Sequence, residues 1–118
     1  MPKALPLLDT TAPVCCAPLA AGPIADADAL EIALRLKALA DPVRVKLMSM
    51  LLAQSESGVC TCDLAPAVRL SEATVSHHLK QLRDAGLVEG TRRGTNVFYR
   101  PRPDALGALC RVIDPACC

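Results

Sequence analysis

From Asp26 onward the apolar residues recur at helical spacing. Leu30, Leu34 and Ala38 fall on one face beside Lys37, and Ile32, Leu36 and Leu39 widen the stripe. Asp41-Pro42 stops this helix, because proline lacks an N–H and suits only the first turn of the next one. Val43, Leu47, Met50 and Leu51 give the second helix its apolar side and leave Arg44 and Lys46 outside; Gln54 to Gly58 is a polar loop. A short helix is predicted over Thr61 to Val68, followed by a tight turn at Arg69-Leu70. Ser71 then caps a longer helix, with Glu72 near its positive end. In that helix Val75, Leu79 and Leu82 form one buried line, and Gly86 supplies a C-cap. Val88 to Arg92 and Asn96 to Arg100 are strand-like runs around Arg93-Gly94-Thr95, which predicts a hairpin. Pro103 opens a last helix, Asp104 to Asp114, with Leu106, Leu109 and Val112 or Ile113 apolar, and Pro115 ends it. Residues 1–25, rich in Pro and Ala, read as an extended arm and 115–118 as a tail. The domain proper is 26–114, mainly α with a β-hairpin wing.

Composition adds three constraints. An apolar share of 52% provides a packed core. Phe98 and Tyr99 are the only aromatic residues, which excludes the stacking surface of a single-strand binder. The formal charge of +1 conceals an asymmetry, since residues 69–102 carry seven basic side chains against three acidic ones, a balance of +4. The start, Met1-Pro2-Lys3-Ala4-Leu5-Pro6, has no unbroken apolar run. Thr10 to Ala25 is interrupted by Pro13, Pro18, Gly22 and Pro23 and is too short to cross a bilayer. A cytoplasmic protein without a membrane segment is therefore expected. There, seven cysteines are not a disulfide framework; metal binding or redox sensing accounts for them better.

Two helices joined by a short turn and followed by a basic hairpin make a winged helix-turn-helix. The second helix of such a pair lies in the major groove of double-stranded DNA. Ser71, Ala73, Thr74, Ser76 and His77 stand at its amino-terminal side, where short polar groups reach base edges. Lys80, Arg92 and Arg93 are placed to hold phosphates, which supply affinity rather than sequence choice. His78 is expected to pack or cap. His77 and His78 point about 100° apart on a helix and make a poor zinc pair.

The run Ala73-Thr74-Val75-Ser76-His77-His78-Leu79-Lys80-Gln81-Leu82-Arg83-Asp84-Ala85-Gly86-Leu87-Val88, with Arg92-Arg93-Gly94 and Phe98-Tyr99, resembles the ArsR/SmtB family of metal-sensing repressors. Leu36-Lys37-Ala38-Leu39-Ala40-Asp41-Pro42-Val43-Arg44 matches the boundary after that family's first helix. The resemblance covers residues 30–102. It implies a symmetric homodimer, paired through its first and last helices on a palindromic operator.

Cys60-Thr61-Cys62-Asp63-Leu64 resembles the thiolate box of the arsenic-, cadmium- and lead-responsive members. Arsenical members built on this box alone often carry another cysteine three residues on, where this chain has Ala65. Trivalent arsenic takes three thiolates, so the resemblance points to the arm pair Cys15-Cys16 for the rest, across the dimer. The candidate site is Cys15, Cys16, Cys60 and Cys62. Three thiolates serve arsenite or antimonite as inducer, and four serve cadmium or lead. On a regular helix Cys60 and Cys62 would lie about 200° apart, so one ion joins them only if the helix start is unwound or excludes one of them. Cysteines so close in sequence are not expected to close a disulfide readily. Ion capture would disturb the first helix of the DNA-binding pair and the spacing of recognition helices that meet half-sites about 34 Å apart.

Cys110, Cys117 and Cys118 read as one core-facing thiol and a frayed terminal pair, or as an auxiliary three-thiol site whose register Pro115 breaks. The zinc site that other members build on the last helix needs histidine, and none follows Tyr99. A thiol-redox-sensing repressor is the main rival. An enzyme is not expected, because six residues separate Cys62 from Arg69, one more than a phosphate-cradling Cys-x5-Arg loop uses.

Overall fold

Asp41 fixes where the first two helices meet. Its Oδ1 accepts the Val43 N–H at 2.8 Å and the Arg44 N–H at 3.2 Å, which satisfies two free donors of the second helix. These bonds, that from Arg44 foremost, hold the carboxyl below its ordinary titration range although partial desolvation opposes them. Helix α1 spans Asp26–Leu39 and α2 spans Pro42–Leu52, with proline in the first turn as expected. This computed structural model describes residue 13, residues 18–54 and residues 57–114. Within the arm, Leu19–Ala21 form one 3-10 turn, which packs against the last helix.

Strand β1 (Val59–Cys60) comes next, then α3 (Thr61–Val68), α4 (Glu72–Asp84), β2 (Val88–Arg93), β3 (Asn96–Pro101) and α5 (Pro103–Ile113). The sequence reading assigned no element to the two residues of β1, which follow the polar loop. It pairs antiparallel with β3, placing Val59 opposite Tyr99 and Cys60 opposite Phe98. The hairpin β2–β3 runs in register from Val88 opposite Pro101 to Arg93 opposite Asn96. The sheet order is β1-β3-β2, so β3 is the central strand of the wing.

Leu47 and Leu51 of α2, Leu64 of α3, and Val75, Leu79 and Leu82 of α4 meet in one core that continues through Leu87, Val88 and Tyr99 to α5. The buried line predicted for α4 is the one observed. Helix α4 ends in a Schellman motif: Gly86 has φ +75, its N–H reaches the Arg83 carbonyl at 2.9 Å, and the Leu87 N–H reaches the Leu82 carbonyl at 3.0 Å.

The face predicted for α1 needs correction. Ile32, Arg35 and Ala38 turn inward, while Leu34 and Leu36 are exposed. Arg35 can occupy an inward position because Nη1 donates to the Glu31 carbonyl at 3.1 Å and faces its carboxylate at 3.4 Å. Among the described residues no helix is long and apolar enough to cross a membrane.

Candidate nucleic-acid interface and thiol pair

The turn between α3 and α4 is tight because its chain reverses through a left-handed residue. Arg69 has φ +59; its N–H reaches the Pro66 carbonyl at 3.2 Å, and the Leu70 N–H reaches the Ala65 carbonyl at 3.1 Å. This is again a Schellman ending, with arginine where glycine is usual. Left-handed backbone costs a non-glycine residue about 1–2 kcal/mol, and glycine's extra freedom when unfolded offsets part of that. Arg69→Gly is therefore expected to stabilise the fold by about 0.5–1 kcal/mol, a rise of a few degrees in Tm. Thermal unfolding followed by circular dichroism checks it, and a lowered Tm contradicts it.

Ser71 caps α4, its Oγ accepting the Thr74 N–H at 3.2 Å and donating to Thr74 Oγ1 at 2.9 Å. With Val75, Leu79 and Leu82 seated in the core, Ala73, Thr74, His77 and Lys80 are exposed on the opposite side and Ser76 is half-buried. His78 is half-buried beside α2, its Nδ1 3.5 Å from Arg44 Nη1, which agrees with a packing role.

The basic residues of this region divide into two sets. Arg83 lies 3.7 Å from Asp84, Arg102 lies 3.4 Å from Asp104, and Arg100 pairs with Glu89 across the hairpin. Arg69, Lys80, Arg92 and Arg93 are exposed and form no ion pair among the described residues. Their charge is thus available to phosphate. Arg69 was not singled out in the sequence; its position in the turn before α4 was the available signal. Arg93 is also held in place, its Nη2 donating to the Ser57 carbonyl at 2.7 Å and its guanidinium lying over the Phe98 ring.

The thiol box sits where β1 gives way to α3. Cys60 has extended backbone, φ −70 and ψ 144, and acts as the N-cap, so it lies outside the helix that contains Cys62. The condition for the two sulfurs to meet is therefore fulfilled. Cys60 Sγ accepts the Cys62 N–H at 3.1 Å, at the end of α3 whose dipole stabilises negative charge. Contrary to expectation, the two cysteines are joined as a disulfide. The extended N-cap is the reason: it leaves the Cα atoms 5.1 Å apart, within the span a disulfide bridges. Cys60 is 1% exposed and Cys62 is exposed.

Pro66 stands inside α3 and withholds the N–H that the Cys62 carbonyl would otherwise receive, loosening the turn that carries the pair. Ala65, where other members often carry a third box cysteine, is buried in the core; among the described residues no three Cys, His, Asp or Glu side chains gather as a metal site. Cys15, Cys16, Cys117 and Cys118 lie outside the described residues. Cys110 is half-buried on α5.

Residues 41–90, spanning α2 to the start of β2, match the family described as bacterial regulatory protein, arsR family. A transcriptional repressor SmtB homolog from Synechocystis is 52% identical over 62 residues, covering 52% of this chain and 45% of that protein. The arsenical resistance operon repressor of Escherichia coli is 37% identical over 81 residues, covering 68% of this chain and 67% of that protein. The chain spans about half the length of several curated relatives that it matches. The homodimeric winged helix-turn-helix DNA-binding domain of a possible ArsR-family regulator from Mycobacterium bovis superposes with a TM-score of 0.62. It is 28% identical and covers 75% of this chain and 83% of that one. In motif, in fold and in sequence, the chain belongs to the ArsR family of bacterial regulatory proteins.

Proposed function

We propose that the chain is a metal(loid)-responsive transcriptional repressor that binds a palindromic operator as a homodimer and is released by arsenite or antimonite. The observation that carries this reading is the convergence of Cys60 and Cys62 at the start of α3, the first helix of the DNA-binding pair. The E. coli relative, an arsenical resistance operon repressor, supports the choice of ion. Ala73, Thr74, Ser76 and His77, with Ser71 at the cap, read base edges, and Lys80, Arg92 and Arg93 hold phosphate. The exposed Leu34 and Leu36 of α1 and Ile113 of α5 supply apolar surface for the dimer, in keeping with the homodimeric neighbour.

Cys15 and Cys16 complete the thiolate set with Cys60 and Cys62. Each thiol that adds to arsenious acid replaces one hydroxyl and releases one water, so three As–S bonds form as three As–O bonds break, without a change of oxidation state. The bound ion sets a new spacing between Cys60 and Cys62 and so displaces the start of α3. A shift that lowers operator affinity 5- to 150-fold corresponds to a coupling of about 1–3 kcal/mol. Cadmium or lead on four thiolates is the variant of the same mechanism.

The Cys60–Cys62 bond favours one second reading, a redox trigger. Two thiols reduce one peroxide to two waters and close the disulfide, moving the same turn.

Reduced Cys60→Ser/Cys62→Ser protein is expected to hold its operator as well as the parent and to keep holding it when arsenite is added. Fluorescence anisotropy with labelled operator measures both. Release of this variant by arsenite, equal to that of the parent, sinks the proposal. Release of the reduced parent by peroxide but by none of arsenite, antimonite, cadmium or lead selects the redox reading.

A further inference from the structure

Residues 57–60 form a strap across the central wing strand. Cys60 faces Phe98 and Val59 faces Tyr99 in the ladder. At Gly58, φ is +87, and a Cβ there would stand 3.1 Å from Arg100 Cγ, 3.2 Å from the Tyr99 carbonyl oxygen and 3.4 Å from Phe98 Cβ. Strap and strand touch with no room for a side chain between them. One residue back, the Ser57 carbonyl accepts the 2.7 Å hydrogen bond from Arg93 Nη2. The same guanidinium has its Cζ 4.6 Å from the centroid of the Phe98 ring. Phe98 therefore touches two parties: its backbone is partnered with Cys60, and its ring carries Arg93. A planar guanidinium suits this double hold, since it stacks through its face and keeps further N–H donors in its plane for phosphate oxygens.

We propose that Phe98 and the Ser57 carbonyl are positioning groups for Arg93, and that they carry the state of the Cys60–Cys62 pair to the wing's phosphate contact. The second half rests on the thiol-triggered repressor proposed above. Strand β1 is two residues long, so a shift of Cys60 moves Val59, Gly58 and the Ser57 carbonyl together. Arg93 then loses the acceptor that fixes its direction. The wing weakens its hold on the operator in addition to any change in recognition-helix spacing.

A double-mutant cycle on the full chain, kept reduced, tests this with Phe98→Leu, Arg93→Ala and both together, measured by operator anisotropy over a range of salt. Without ion, Phe98→Leu is expected to bind about two- to fivefold more weakly, the worth of an exposed cation–π contact. Its salt slope should fall by about one, as that of Arg93→Ala does. The double variant should bind no more weakly than Arg93→Ala. Phe98→Tyr, which keeps the aromatic face, should restore both affinity and slope, which a folding defect would not predict of Phe98→Leu alone. With sodium arsenite, Phe98→Leu should take up as much arsenic as the parent and yet lose less affinity for DNA. Additive losses in the ion-free cycle overturn the positioning role. An undiminished arsenite response in both Phe98→Leu and Arg93→Ala overturns the transmission. A parent that keeps its operator against arsenite, antimonite, cadmium and lead overturns the trigger itself, while the ion-free cycle still decides whether Phe98 aims Arg93.

Discussion

Leu79→Ala should destabilise the folded protein by about 3 kcal/mol, within the range that Leu→Ala truncations cost in packed cores. Leu79 is fully buried, in the middle of the line Val75–Leu79–Leu82 that seats α4 on α2 and α3. Removing its isobutyl group forfeits the transfer energy of the lost carbons and leaves a void that the flanking helices fill only in part. Such a loss is a large share of the stability of a small domain and lowers Tm by roughly 10 °C. Urea unfolding monitored by circular dichroism gives the value directly. A cost below about 1 kcal/mol would mean that α4 is not anchored on this line, and the placement of Thr74, His77 and Lys80 on its outer side would fall with it.

Gly58→Ala is the second large effect expected, a loss of about 2–3 kcal/mol. Two terms contribute. Its φ of +87 is strained for any L-residue, and the added methyl enters space already bounded at 3.1–3.4 Å by Arg100, Tyr99 and Phe98. Relief requires the strap to lift from β3, which takes Cys60 out of register with Phe98. Amide hydrogen exchange of residues 57–60 and 97–100, alongside urea unfolding, measures both consequences. A variant as stable as the parent, with those amides equally protected, would show that the strap does not lie where the ladder puts it.

The helices and hairpin were legible because each has a local cause. Asp41-Pro42 and Ser71 are capping signals independent of tertiary contacts, and Val75, Leu79 and Leu82 obey a helical period through the middle of α4. α1 was read less well, because an arginine does not register as an inward residue. Arg35 is buried with Glu31, one turn earlier, facing its charge, while Leu34 and Leu36 take outward positions. β1 escaped notice for a different reason. Two residues cannot display an alternation, and their strand character comes from β3, nearly forty positions later in the chain. Gly58 was the one local hint.

The candidate site was legible in kind but not in arrangement. Cys-x-Cys ahead of a helix announces paired sulfurs, and the helical wheel correctly stated that they converge only if Cys60 stands outside the helix, as it does. The expectation that they would not readily bond rested on their closeness in sequence alone. An extended residue followed by a helical one brings the side chains together. Arg92 and Arg93 were recognisable as basic wing residues, but the Ser57 carbonyl and the Phe98 ring that restrain Arg93 are contacts made by folding and have no signature in spacing.

The unequal burial of the two box sulfurs imposes an order of events. A reagent or ion diffusing in from bulk water collides with the outer residue, Cys62, whereas Cys60 is sealed beneath the strand and helix that flank it. Under the proposed trigger, capture by the reduced pair is expected in two stages, a fast encounter at the outer sulfur and then a slower closure on the inner one. On that proposal the first stage would leave the β1–β3 seam, where Cys60 lies opposite Phe98, in place, and only the second would reach the wing.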